Sequence, residues 1–317
     1  MLFSRKFDPK VDLNDLSGRV ALVTGANTNI GYATVKHLAL KGAKVYLGSR
    51  SEEKGKAAVE KLTEEGVASG QVIALQCDIG TPASARKAAE GFLKLENRLD
   101  ILGMLISKSG INVKLNPFTR ITEMSMTNHF GTFQLTKTLL PLLAKTSQEP
   151  NSDVRIVNVT SEIHRRGLGS KPFVDFKTID PFKETYAQDM VPWLSRYIVS
   201  KLAMVTFSNA LQRKLSSTSI ICISIHPGTV NTTFHTRFNY PRLTNFIAST
   251  FFKGPEEGAY NSVLAAASPV VRESADKYRG AYLMPVGRIV SPAPASLNTQ
   301  VQDDLWETTE KYLQEHP

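Results

Sequence analysis

A tyrosine and a lysine stand four residues apart in the run Ser195-Arg-Tyr-Ile-Val-Ser-Lys201. On a helix, that spacing puts the Tyr197 phenol and the Lys201 ammonium on one face, a turn apart. A cation so placed lowers the phenol's pKa from about 10 toward the working pH, as a general acid requires. Far upstream, Thr24-Gly25-Ala-Asn-Thr-Asn29-Ile30-Gly31 reads as a glycine-bearing turn between an apolar run and a helical pattern. Such a turn lets backbone N–H groups and a helix N-terminus meet a diphosphate. A dinucleotide-type turn with a poised phenol downstream points to hydride transfer.

The elements that must position these groups alternate regularly. Apolar runs at Val20–Val23, Lys44–Leu47, Gln71–Gln76, Ile101–Ile106, Val154–Val159 and Ile220–Ile225 read as strands. Helical patterns fall between them at about 30–41, 52–65, 83–96, 124–144 and 193–215. Strand–helix alternation at this period makes a parallel sheet covered on both faces, because each parallel crossover needs a helix. The expected fold is therefore α/β, a Rossmann-like doubly wound parallel sheet forming a single domain over residues 1–317. Ligands in such sheets sit beyond the strands' C-terminal ends. Thr24-Gly25, Asp78, Ser107, Ser161 and His226-Pro-Gly228 all fall just after predicted strands. Two segments break the rhythm. Residues 162–192 are rich in Gly, Pro and charge with interspersed Phe and Tyr, and residues 229–253 are rich in aromatics. Loops of that length commonly bind or cover ligands, so both are expected on the substrate side. An amphipathic stretch, Leu297 to Leu313 with Trp306, reads as a C-terminal helix docking on the sheet.

Composition narrows the function class. The chain has 317 residues, 42% of them hydrophobic and 21% charged, which is ordinary for a globular protein. Its net charge of +9 is scattered over amphipathic helices, without a run of five Lys/Arg or the aromatic–basic interleaving of nucleic-acid binders. Cys77 and Cys222 lie in or beside apolar runs and read as buried thiols. His129, His164 and His226 show no metal-ligand spacing, and no metal is expected. No signal-peptide core precedes Pro9, and no stretch approaches the 18 to 20 apolar residues of a membrane span. A cytoplasmic protein without an integral membrane span is expected.

The turn resembles the Thr-Gly-x3-Gly-x-Gly cofactor motif of the short-chain dehydrogenase/reductase family, and the resemblance runs from Asp15-Leu-Ser-Gly18 to the C-terminal helix. It implies that Thr24, Gly25, Asn29, Ile30 and Gly31 carry the pyrophosphate, with Asn29 replacing the middle glycine. Asn is the non-Gly residue most tolerant of positive φ, at a cost of about 1 kcal/mol. Ser49-Arg50 stand where NAD-preferring members place an acid, which implies that Arg50, helped by Ser49, binds a 2′-phosphate and that NADP(H) is preferred over NAD(H). Asp78 resembles the residue that contacts adenine; alone, it reads equally well as an N-cap of the following helix. Ser107-Lys-Ser-Gly110 stands where the family usually has Asn-Asn-Ala-Gly, so Ser107 and Gly110 are expected near the cofactor and Lys108 either grips a phosphate or points outward. Asn128, Ser161, Tyr197 and Lys201 match the catalytic residues: Asn128 holding a relay water, Ser161 bonding the substrate carbonyl, Tyr197 protonating it, and Lys201 tuning the phenol and holding the nicotinamide ribose. Pro227, Gly228, Thr229, Val230 and Thr232 match the loop beside the nicotinamide.

Ser161 and Tyr197 lie 36 positions apart, a spacing that looks most like the retinol-dehydrogenase-like branch and its fungal relatives in specialised metabolism. That implies an oxidoreductase moving hydride to or from a lipophilic ketone, aldehyde or imine. Two alternatives stand beside it: a non-redox isomerase, dehydratase or cyclase with a decayed cofactor site, and a dinucleotide-sensing regulatory protein. The resemblance also suggests a homodimer through the fifth and sixth helices, which the long insertions would oppose.

Overall fold

The computed structural model describes residues 6–106, 108–109, 113–166, 174–228 and 254–316. Its centre is one eight-stranded sheet of order β3-β2-β1-β4-β5-β6-β7-β8. The first six strands are Val20–Thr24 (β1), Lys44–Ser49 (β2), Val72–Gln76 (β3), Ile101–Met104 (β4), Arg155–Val159 (β5) and Ile221–Ile225 (β6). All pair in parallel, as their helical crossovers require. The sheet then departs from the sequence-based expectation. Tyr282–Met284 (β7) adds in parallel to β6, and Arg288–Val290 (β8) closes the edge antiparallel to β7. Strands of three residues are too short to show a period, so the hairpin left no pattern to read.

Alternation along the strands divides the core between two faces. Val20, Leu22, Leu102, Met104, Ile156 and Cys222 point to one side. There they meet α3 (Pro82–Leu93), α4 (Thr132–Ser147) and α5 (Pro192–Lys214). Ala21, Val23, Val45, Leu47, Val157 and Ile223 point to the other, under α1 (Asn29–Leu40), α2 (Glu52–Glu64) and α6 (Pro255–Ala267). Both thiols, Cys77 and Cys222, are buried and unbridged.

Two further expectations are corrected. The C-terminal helix α7 (Thr299–Glu315) does not reach the sheet, whose face is already filled; it packs on α4 and α5, with Trp306 4.8 Å from Phe133 and 6.0 Å from Phe207 between ring centroids. The cap of α3 is Thr81, in a reciprocal capping box with Ser84, so Asp78 does not cap that helix.

The helix expected from Met124 onward holds one irregularity. Met126–Gly131 is a π-helical turn that runs directly into α4. Gly131 lets it press against the loop after β3, since a Cβ there would lie 2.0 Å from the Ile79 carbonyl oxygen. Every residue of the turn is buried.

Candidate active site

At the junction of β1 and β4 the strand order reverses, and the turn after β1 opens into that crevice. Gly25 has φ +62°, and a Cβ would meet the Ile106 side chain at 2.6 Å. At Gly31 a Cβ would lie 2.4 Å from the Gly25 oxygen and 2.8 Å from Ala26 Cα, so only glycine lets α1 begin this close to the strand end. Asn29 has φ +52°, the left-handed conformation that asparagine tolerates. Its side chain is exposed, and Thr28 at the N-cap makes no side-chain capping bond. The N-terminus of α1 thus lacks the usual side-chain acceptor, and its first N–H groups form a cradle fit for a diphosphate. Buried Thr24 ties β1 to β4: its hydroxyl accepts from Leu105 N at 3.2 Å and faces the Gly103 oxygen at 3.4 Å. Ile30 is partly buried behind the turn.

Beyond β2, Ser49 and Arg50 part company. Ser49 is buried and donates to the Ser51 carbonyl at 3.0 Å, whereas Arg50 is exposed. Glu52 is engaged by Lys56 at 2.7 Å, and Arg50 makes no ion pair with another described residue. Asp78, partly buried, accepts from Gly80 N at 2.9 Å through one carboxylate oxygen. The Lys108 ammonium binds Glu123 at 2.7 Å. Lys108 and, more weakly, Lys114 and Arg50 hold the Glu123 carboxyl below its ordinary range.

The chemical centre gathers at the C-terminal end of β5. Lys201 is wholly buried in α5, and its ammonium donates to the Val159 carbonyl at 3.1 Å. The same nitrogen lies 5.6 Å from the Tyr197 ring centroid. Burial away from water pushes the Lys201 pKa down to about 7. The hydroxyl of Thr160 bonds the Lys201 carbonyl at 3.3 Å, so strand and helix are pinned twice. Ser161, partly exposed at the strand's end, caps a short 3-10 turn, Glu162–Arg165. Asn128 sits in the π-turn with its amide fully engaged. It accepts from Lys108 N at 2.8 Å and donates to Lys108 O at 2.9 Å and to Ser200 Oγ at 3.1 Å. Ser200 in turn donates to the Tyr197 carbonyl at 2.9 Å.

These contacts link Asn128, Tyr197 and Lys201, and Ser161 directly follows Thr160, whose hydroxyl bonds the Lys201 carbonyl. Ser200 belongs with them although the sequence reading passed over it. Its place three residues after Tyr197, on the same helical face, was the available signal. Pro227 and Gly228 follow β6 and are half-buried, Gly228 with φ +91°. Ser107, Gly110, Thr229, Val230 and Thr232 lie outside the described residues, as do all of 229–253 and residues 167–173. Among the described residues no group of three or more His, Cys, Asp or Glu side chains is placed to hold a metal ion, and no helix is long and apolar enough to cross a membrane.

Residues 19–172 match the family model described as short chain dehydrogenase. The chain is 36% identical over 314 residues to a short-chain dehydrogenase/reductase of Armillaria gallica, covering 96% of this chain and 95% of that one. It is 32% identical to dehydrogenase/reductase SDR family member 13 of Homo sapiens, over 96% of this chain and 76% of that one. In fold it is similar to the Pseudomonas aeruginosa RhlG/NADP active-site complex, with a TM-score of 0.61 at 22% identity over 86% and 96% of the two chains.

Proposed function

The chain belongs to the short-chain dehydrogenase/reductase family and is an NAD(P)-dependent oxidoreductase; from that premise we propose that it interconverts a lipophilic ketone, aldehyde or imine with its reduced form, using NADP(H). The observation that carries the reading is the buried Lys201, anchored on β5 and set over the Tyr197 ring. A buried ammonium with one carbonyl partner is costly for folding, and it is justified by the phenol it faces. When bound, the nicotinamide supplies the hydride. Ser161 Oγ aligns the substrate's polarised oxygen or nitrogen, and the Tyr197 hydroxyl delivers the proton to that atom. Lys201 steadies the negative charge left on the phenol, and its position suits it to the ribose hydroxyls of the nucleotide.

The backbone cradle around Gly25, Asn29 and Gly31 would hold the pyrophosphate, with the Asp78 carboxylate meeting the adenine amino group. Arg50 is the exposed guanidinium at the end of β2, suited to bidentate contact with a 2′-phosphate. Ser49 is not its helper, because its hydroxyl proton is committed to Ser51. Lys108 is committed too, to Glu123. Segments 162–192 and 229–253 are proposed as walls of an apolar substrate pocket, and the cytosol as the location. A homodimer built on the outer faces of α4 and α5 would have to displace α7, whose ring and ionic contacts cover them.

Calorimetric titration with NADPH and NADH tests the proposal. We expect the wild type to favour NADPH, and Arg50→Asp to favour NADH by removing the phosphate contact and adding a repulsive charge. Tyr197→Phe should keep the NADPH affinity while lowering turnover on a panel of apolar carbonyls by about a thousandfold. Absence of binding by either nucleotide defeats the redox reading. Equal weakening of both in Arg50→Asp removes Arg50 from phosphate recognition.

A further inference from the structure

One buried group beside the site has no part in the chemistry above. His129 follows Asn128 in the π-turn and is completely buried. Its Nε2 lies 2.7 Å from the Thr309 hydroxyl on α7. That hydroxyl spends its own proton on the Leu305 carbonyl, 2.7 Å away. Thr309 must therefore accept, and His129 must carry its proton on Nε2 and donate. Burial drives the imidazole pKa down to about 3, so it stays neutral in this role. Its Nδ1 has no hydrogen-bond partner among the described residues.

The ring is also held from other sides. It stacks on Phe182 at 5.3 Å with an interplanar angle of 2°, and it meets Phe207 of α5 edge-on at 6.3 Å. Phe182 belongs to the segment 162–192, and its carbonyl accepts from Thr122 N at 3.0 Å, just before the π-turn. One imidazole thus touches α7, the helix that carries Tyr197, and the segment proposed as a substrate wall.

A π-turn is a rare register that carries one extra residue, and it is frequent at functional sites. Adjacent residues of this turn take polar partners on different elements: Asn128 on Lys108 and on Ser200 of α5, His129 on Thr309 of α7. Relaxation toward an ordinary α-helical register would rotate both, and Asn128 would lose Lys108 and Ser200. We infer that His129 is a positioning residue, and that through its bond to Thr309 the C-terminal helix fixes the π-turn in the register that gives Asn128 its place beside Tyr197. This rests on the proposed reaction for its catalytic consequence, but not for its structural one.

The test separates the two. Thr309→Val keeps the volume and removes the acceptor, while Thr309→Ser keeps the acceptor. Hydrogen exchange of residues 126–131, followed by mass spectrometry on the ligand-free protein, should quicken at least about tenfold in Thr309→Val, equivalent to about 1.4 kcal/mol of lost local stability, and stay near wild type in Thr309→Ser. In kinetics, Thr309→Val should lower kcat about tenfold with KM and nucleotide affinity nearly unchanged. In Asn128→Ala it should add no further loss, because both act on one group. Unchanged exchange in Thr309→Val overturns the inference, as does a kcat loss that simply multiplies with that of Asn128→Ala. Faster exchange with an Asn128→Ala enzyme of normal kcat leaves the positional link standing and defeats the role given to Asn128. Should Thr309→Val not fold, Thr309→Cys, a weaker acceptor of similar size, takes its place with the same readings.

Discussion

Replacing Lys201 with methionine should make the ligand-free protein more stable while removing its activity, and the gain should depend on pH. The folded pKa of Lys201 is about 7, against an ordinary value of 10.5. Between those two values the unfolded chain holds a proton that the fold does not. Wild-type stability therefore climbs as pH rises from about 7 to 10.5, and below about 7 the fold bears the whole cost of the buried charge. At about 1.36 kcal/mol per pKa unit, that cost is roughly 5 kcal/mol at pH 6 and roughly 2 kcal/mol at pH 9. Methionine has a similar length and no charge. It forfeits the bond to Val159, a loss of about 1–2 kcal/mol. The net expectation is a gain of about 3 kcal/mol at pH 6, falling to about 1 kcal/mol or less at pH 9.

For a chain of this size, about 2 °C of midpoint per kcal/mol gives a rise of about 6 °C at pH 6. Thermal denaturation of both proteins at pH 6, 7.5 and 9, without nucleotide, measures it. A gain that stays constant across this range would show that Lys201 is not a charge held against its preference. A loss of stability at pH 6 would show that the ammonium is better compensated than its surroundings indicate. Either result would also remove the energetic reason for assigning Lys201 to chemistry.

Gly31→Ala drives a Cβ into the Gly25 carbonyl and Ala26. It should cost about 2–3 kcal/mol in denaturant melts and weaken nucleotide binding at least about tenfold, because backbone cannot yield as a side chain can. Asn29→Gly removes a left-handed residue whose side chain is exposed. Stability should change by less than about 1 kcal/mol and nucleotide affinity by less than about threefold; a large loss in titration would show that the Asn29 amide binds phosphate. Acidification from pH 6.5 to 4.5 should lower the thermal midpoint. Buried His129 and His164 have folded pKa values of about 3 and about 4, below that of a free imidazole, so the unfolded chain takes up protons there that the fold refuses. Replacing His164 with Gln should blunt that acid loss, and an unchanged slope would refute the assignment.

What could be read from the sequence follows the range of the interactions involved. Strands β1 to β6 and the helices between them were legible because burial on one or both sides imposes a period over many residues. The hairpin of β7 and β8 was not, since its register comes from pairing with β6 rather than from its own pattern. Nor was the π-turn, because one extra residue per turn barely disturbs the apolar period of Met124 to Ala144. Thr81 rather than Asp78 as the cap was within reach, because the Thr-Pro-x-Ser order of residues 81–84 is itself a cap signal, with Pro at the first helical position. The Tyr197–Lys201 pair was legible for the opposite reason: both groups sit on one helix, so their relation is local. Ser200 offered only its spacing from Tyr197, whereas His129 acts across elements and only the fold reveals it.

The two departures from the family pattern fall at positions whose described geometry is set by the backbone. At Asn29 the chain needs a left-handed backbone, which asparagine supplies nearly as well as glycine. At Lys108 the need is for a main-chain N–H and C=O to grip the Asn128 amide, and any residue offers those. The side chain is then free to vary, and here it turns to Glu123, whose own N–H donates to the Lys114 carbonyl at 2.8 Å. The Lys108–Glu123 pair therefore ties the residue whose backbone grips Asn128 to the turn just before Asn128. A departure judged by side chain reads as damage; judged by the backbone, it keeps the left-handed turn at Asn29 and the main-chain hold on Asn128.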